Sequence, residues 1–228
     1  MDNIFYIVTI PKLKERLDYL IPTLNSHGIF NIKIHDGYVS NDLNDDDFNK
    51  ATDSIFIEEQ RARITCPNYV SSGSLKTKKN MLGNALSHIS IWNEIANGKE
   101  QYAIILEDDA VLVDNFRDIW NKLKSTLPNN LDIGYLHAGC GHTIDMFDIK
   151  HIPNKFWYSI EKKFSRTQCS YIISKEFCKK LIQDIFPIAL PIDWEINYLQ
   201  KKLNANVFWT SIHPFFEGSG IKYYSSLR

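Results

Sequence analysis

Short apolar runs rich in Ile, Val, Phe and Tyr alternate with amphipathic stretches through the first 140 residues, and this alternation most narrows the architectures open to the chain. Residues 3–10 form an apolar run that ends at Pro11, and residues 12–25 then place Leu13, Leu17, Leu20, Ile21 and Leu24 at helical spacing. His27-Gly28 suits the end of that helix, and residues 30–34 alternate into a second strand that stops at Asp36-Gly37. Further strands are predicted over 102–106, 110–113, 131–136, 170–173 and 206–212, with helices over 76–96, 115–127, 175–186 and 193–203. The Asn/Asp-crowded stretch 38–53 and the Ser/Gly stretch 67–74 read as loops around a short helix over 54–63. Apolar strands separated by helices favour an α/β fold whose mostly parallel central sheet is covered by helices on both faces. No repeat, low-complexity tract or linker divides residues 1–228, so one domain is expected.

Composition removes several classes of function. A chain of 228 residues with 44% hydrophobic side chains can bury a sizeable core, which argues against disorder. With 26 basic against 27 acidic residues there is no general electrostatic reason to bind nucleic acid. Cys66, Cys140, Cys169 and Cys178 show no CxxC spacing, and reduced thiols are expected. The first apolar run lacks a basic flank and a small-residue cleavage pattern, so it reads as a strand and not a signal peptide. No run approaches the roughly 20 apolar residues needed to cross a bilayer. A cytoplasmic protein is therefore expected, touching a membrane at most peripherally. The abundance of Ile, Asn and Lys suggests an AT-rich bacterial or large-DNA-virus genome.

Glu107-Asp108-Asp109 sits between two apolar segments, and packing three like charges there is costly. A solvated turn is one reading. The other follows from position: open α/β sheets bind ligands beyond the carboxyl ends of their strands, where this triplet lies. If the backbone stays extended, Glu107 and Asp109 share one side and Asp108 faces away. Two hard oxygen ligands suit Mn²⁺ or Mg²⁺, which in turn suits a diphosphate. His213, before Pro214 at the end of the last strand, is the candidate nitrogen ligand and would favour Mn²⁺; its alternative is an ordinary surface histidine.

Gly83-Asn84-Ala85-Leu86-Ser87-His88, then Ile91-Trp92, then Tyr102 through Asp109 together resemble glycosyltransferase family 25, which includes bacterial lipooligosaccharide galactosyltransferases and the collagen galactosyltransferases. Weaker matches run in the family's order: the first strand and Arg16, Asp36-Gly37, Ser170 through Ser174, Pro191-Ile192-Asp193, and His213-Pro214. Where the family often has a Gly-Glu pair and a cysteine, this chain reads Asn80-Met81 and Asn84, and a common Ser-Asp-Ile reads Ser219-Gly220-Ile221. The resemblance implies a GT-A-type, Rossmann-like fold, a UDP-hexose donor with galactose favoured, and a Mn²⁺-like ion on the diphosphate. It also implies transfer with inversion to a glycan or glycoprotein acceptor. Residues 1–137 would form the nucleotide-sugar-binding part and 138–228 the acceptor side.

An inverting transfer needs one general base and one leaving-group stabiliser. The resemblance makes Asp193 the first choice for the base, with Glu195 in reserve; an N-cap or first-turn dipole partner is the competing role for Asp193. His88, on an apolar helix stripe, is either a structural histidine or, as the resemblance implies, a hydrogen-bonding group near the sugar or diphosphate. Thr9, Ile10 and Arg16 follow the first strand, and Asp36-Gly37 the second, where a nucleotide base and ribose would lie. With Glu107 and Asp108 these make up the expected donor site, although Arg16 also suits a solvated helix face and Asp36-Gly37 a plain turn. Trp92, Trp157 and Trp209 read as core or rim residues, whereas Trp194 beside Asp193 suits stacking on a sugar. Acceptor contacts are expected from loops 38–53, 64–76 and 139–157. Two rivals remain: a silent nucleotide- or glycan-binding module of the same fold, and a glycoside hydrolase using separated carboxylates such as Asp109 and Asp193.

Overall fold

The computed structural model describes residues 3–52, 61, 75–139, 149–151, 156–161, 164–165 and 167–218. The strands are β1 (Ile4–Thr9), β2 (Ile32–Asp36), β3 (Tyr102–Glu107), β4 (Ala110–Leu112), β5 (Ile133–Tyr135), β6 (Ile149–His151), β7 (Trp157–Ile160), β8 (Ser170–Ser174), β9 (Val207–Thr210) and β10 (Phe215–Glu217). The α-helices are α1 (Lys14–Ser26), α2 (Asp45–Ala51), α3 (Leu75–Asn97), α4 (Phe116–Ser125), α5 (Lys175–Asp184) and α6 (Ile192–Lys202).

Eight strands form the main sheet in the order β2-β1-β3-β8-β5-β9-β7-β6. Tracing the pairings, β2, β1, β3, β5, β9 and β6 run one way while β8 and β7 oppose them, so the sheet is mostly parallel in direction. Alternation along the strands divides the core. Tyr6, Val8, Ala103 and Ile105 face α3, α5 and α6, while Phe5, Ile7, Ile104 and Leu106 face α1 and α4. Both faces are thus covered, as the alternating sequence predicts. Strands from the two sequence halves interleave, with β8 lying between β3 and β5.

Three differences from the sequence reading bear on the site. The second strand begins two residues later than expected, leaving Phe30 exposed and carrying the strand through Asp36. The stretch read as loop over 38–53 contains α2, whose Phe48 packs into the core and overrides the weak helix propensity of Asn and Asp. β6 and β7 lie in or beside the expected loop 139–157, and β10 closes a small antiparallel sheet with β4. These strands are only three or four residues long, too short for period-2 alternation to reveal them. Apart from Arg61, the predicted helix 54–63 lies outside the described residues, as do the stretch 67–74, Cys66, Cys140 and Ser219 to Ile221. Cys169 and Cys178 are free and buried, as expected of reduced thiols.

Candidate active site at the carboxyl ends of the strands

The parallel register brings three strand ends together. Thr9 lies opposite Asp36, and Val8 lies opposite Glu107. Glu107 is the last residue of β3, and Asp108 and Asp109 form the turn into β4, so the backbone does not stay extended through the triplet. Asp108 nevertheless faces away from Glu107, toward α1. Its Oδ2 accepts from Thr9 Oγ1 at 2.7 Å, and its Oδ1 accepts from Arg16 Nη1 at 2.6 Å, all three residues being buried. This clamp ties the ends of β1 and β3 to α1. Burial raises the Asp108 pKa, while the Thr9 and Arg16 hydrogen bonds oppose the rise.

Glu107 points to the opposite face, toward α3. His88 Nε2 lies 3.5 Å from Glu107 Oε1, and His88 Nδ1 lies 2.8 Å from the Tyr171 hydroxyl. That hydroxyl also accepts from Trp92 Nε1 at 3.0 Å. The imidazole thus bridges the Tyr171 hydroxyl, on its Nδ1 side, and the Glu107 carboxylate, on its Nε2 side. Burial works to raise the Glu107 pKa, but the hydrogen bonds from His88 and Asn84 and the charges of His88 and His137 outweigh it and hold the pKa below its usual value. His88 has no exposed surface. Of the two readings of His88, the buried, hydrogen-bonded histidine is the one this geometry fits, and it meets the strand end through Glu107.

Asp109 is buried, with its carbonyl accepting from Gly218 N at 2.8 Å. Burial and the charges of Glu107, Glu217 and Asp108 push its carboxyl pKa up to about 7. Glu217 has no sequence signal of its own. The β4–β10 pairing sets it opposite Ala110 and adds it to the cluster. Asp193, in the first turn of α6, belongs to the same field: burial pushes its pKa up to about 6, opposed by backbone hydrogen bonds and reinforced by Glu107 and Glu217. Pro191, not Asp193, is the N-cap, although Asp193 Oδ1 does accept from Trp194 N at 3.1 Å.

Glu195 is buried without exposed surface, and its carboxylate accepts from Arg61 Nη1 and from the backbone of Ala189 and Leu190 at 3.0 and 2.9 Å. An enclosed carboxylate with three donors cannot take a proton from a substrate hydroxyl, so the reserve role as base is corrected to a structural clamp. Gly37 lies against the strand ends, its N–H donating to Thr9 O at 2.6 Å. A Cβ there would lie 3.0 Å from both Ser87 Oγ and Thr9 O, a tight approach that favours glycine. Ile10 continues the same edge and Asp36 is exposed beside it. His213 Nδ1 lies 3.2 Å from Thr210 Oγ1, on the segment whose Pro214 carbonyl accepts from Val113 N beyond β4. Among the described residues, no three His, Cys, Asp or Glu side chains converge as a formed metal centre. The chemistry of the donor set nonetheless fits a hard cation, because carboxylate oxygens are its usual ligands and the negative charges that raise the Asp109 pKa are relieved by positive charge. Trp92, Trp157 and Trp209 are buried as expected, and Trp194 is half-buried beside Asp193.

No helix among the described residues is long and apolar enough to cross a membrane. In backbone shape the chain is similar to the UDP-glucose pyrophosphorylase of Acinetobacter baumanii, with a TM-score of 0.50 and 14% identity over 100% of this chain and 92% of that one. Such identity speaks to fold alone, and the fold is the GT-A-like α/β type expected. A protein of Acanthamoeba polyphaga mimivirus described as a procollagen lysyl hydroxylase and glycosyltransferase is 28% identical over 164 residues. That match covers 67% of this chain but only 16% of the viral protein. The family model described as glycosyltransferase family 25 (LPS biosynthesis protein) matches residues 2–196. The chain belongs to glycosyltransferase family 25.

Proposed function

We propose that the protein is a metal-dependent, inverting hexosyltransferase that moves a hexose, galactose in first place, from a UDP-sugar to a hydroxyl of a glycan or protein-linked acceptor. The supporting observation is the carboxylate field at the strand ends, where Glu107 and Glu217 bear on both Asp109 and Asp193. Glu107 and Asp109, with Glu217, would hold Mn²⁺ or Mg²⁺, and His213 is the candidate nitrogen ligand. A bound cation supplies charge neutralisation for the departing diphosphate.

The chain's own residues do the rest. The Thr9–Arg16–Asp108 clamp keeps the two central strand ends in register beside Ile10, Asp36 and Gly37, the edge proposed for the nucleoside. Asp193, with a pKa of about 6, is mostly ionised at neutral pH and accepts the acceptor hydroxyl proton. The Glu195–Arg61 clamp holds the scaffold of α6, the helix that carries Asp193. The procollagen and LPS descriptions of related proteins favour a protein-linked or lipid-linked glycan as acceptor. A cytoplasmic, peripherally membrane-associated enzyme of a bacterium or large DNA virus fits that chemistry.

The test incubates the protein with UDP-galactose, UDP-glucose and UDP-N-acetylglucosamine, with and without Mn²⁺, and measures released UDP. Manganese-dependent release is expected, fastest from UDP-galactose. Sugar release that needs neither nucleotide nor metal would establish the hydrolase instead, and UDP binding with no turnover would establish a silent binding module.

A further inference from the structure

β2 closes one end of the main sheet, and among the described residues it pairs with β1 alone. The ladder to β1 fixes which of its backbone groups are spent. Phe5 N donates to the Asn31 carbonyl at 2.9 Å and Gly37 N to the Thr9 carbonyl at 2.6 Å. With Phe5 opposite Ile32 and Thr9 opposite Asp36, the bonds between those two fall to Lys33 and His35. The N–H and C=O of Ile34, the C=O of Ile32 and the N–H of Asp36 therefore point to the open edge, while Ile32 N turns back to the Phe30 carbonyl at 3.0 Å.

Such an edge is a template for another strand, and proteins usually guard it with a proline, a bulge or a free lysine. β2 pairs in unbroken register and contains no proline. Its lysine is held on the α3 side, with Lys33 Nζ 2.5 Å from Glu94 Oε2 and 5.8 Å from the centre of the Tyr6 ring. Along the same segment Phe30, Ile34 and Tyr38 are 76%, 45% and 48% exposed, three of the five large apolar side chains exposed among the described residues. They recur every fourth residue, so Phe30 and Tyr38 stand symmetrically about Ile34.

We propose that this edge is the interface of a homodimer, in which β2 pairs antiparallel with β2 of a second copy about a two-fold axis at Ile34. The segment is its own complement, which is why a second copy is the occupant. Centred on Ile34, the pairing sets Phe30 against the partner's Tyr38, Tyr38 against the partner's Phe30, and Ile34 against its own counterpart. The same register lets Ile34 exchange both backbone bonds with its counterpart and gives the Asp36 N–H the partner's Ile32 carbonyl, so the outward groups are used. Moving the axis by one residue would set Lys33 against Lys33 or His35 against His35, and would part Phe30 from Tyr38. In the chosen register Lys33 faces the partner's His35, and each copy's Glu94, beside both residues, offsets their charge. Antiparallel pairing reverses the strands, so the two strand-end sites open at opposite ends of one continuous sheet and work independently.

The test is sedimentation equilibrium of the full chain up to about 300 µM. A strand of five residues makes a small interface, and a Kd of about 10–100 µM is expected. Ile34→Lys and Ile34→Glu each set like charges across the axis and are expected to weaken dimerisation about tenfold or more, while an equimolar mixture of the two, which opposes Lys to Glu, restores it. Phe30→Ser, at a more exposed position, is expected to give the same loss if the charged variants do not fold. A wild type that stays monomeric throughout, a dimer that the variants retain, or a mixture no more dimeric than either variant alone would overturn the inference. Masses that climb past the dimer would overturn it as well, because they mark an open, head-to-tail pairing.

Discussion

Replacing Asp109 by Asn should stabilise the metal-free protein, by an amount that depends on pH in a defined direction. In the fold this carboxyl is pushed from 3.8 up to about 7, first by burial and then by the charges of Glu107, Glu217 and Asp108. A native pKa above the unfolded one means that between pH 4 and 7 the native state holds a proton the unfolded chain has released. Stability therefore falls as pH rises through that window and levels off above it. The displacement is worth about 4 kcal/mol at 1.36 kcal/mol per pH unit. The asparagine amide bears its own burial cost of about 1–2 kcal/mol, leaving about 2–3 kcal/mol of net gain for Asp109→Asn at pH 8. Near pH 4 the aspartate is itself neutral and the gain should vanish. Urea unfolding of both proteins in EDTA, at pH 4.5, 6 and 8, measures the difference directly, because titrating groups that do not act on Asp109, Asp193 among them, cancel in the comparison. A variant no more stable than wild type at pH 8, or a gain equal at all three pH values, would refute the argument. Adding Mn²⁺ supplies the converse: it should raise the wild type's stability in proportion to ln(1 + [Mn²⁺]/Kd) and leave the variant little changed.

Removing Glu195 should act on stability and not on chemistry. Glu195→Ala leaves Arg61 without its buried carboxylate and should cost about 3–5 kcal/mol in urea unfolding, while activity per folded molecule stays within a few-fold when assayed below the melting range. A hundredfold loss of turnover in folded protein would return Glu195 to the reaction. Asp193→Asn should slow transfer by about 10²–10⁴-fold with UDP affinity unchanged. The wild-type rate should rise with pH through about 6 and then level, since the base must be ionised to work; a flat profile between pH 5 and 7.5 would argue for another base. His88→Asn should weaken Mn²⁺ activation by about 10–100-fold, because it removes the imidazole that lies against Glu107, while saturating Mn²⁺ recovers most of the rate. Unaltered Mn²⁺ dependence would reduce His88 to a packing residue.

The outline of this site is legible in the linear chain because its signals are local. Apolar runs of strand length, leucines at helical spacing and a carboxylate triplet at the end of a strand each depend on neighbours within about ten residues. They are enough to place Glu107, Asp108 and Asp109 at the ligand-binding edge of an α/β sheet, and the motif around His88 points to the helix behind them. What each residue does there is a matter of long-range register. Arg16 meets Asp108 across 92 positions and Arg61 meets Glu195 across 134. Glu217 joins the carboxylate field only because β10, three residues that carry no periodic signal, pairs with β4. The parting of Asp193 from Glu195 is of the same kind. Two residues apart in the first turns of one helix, they lie about 200° apart around its axis, so one joins the carboxylate field and the other turns inward. Sequence by itself determined the class of fold and the chemistry of the strand end. Tertiary structure alone decided which carboxylates stay available for ligand and which are consumed in holding the scaffold, because that division depends on which side chains the sheet order brings within hydrogen-bonding distance.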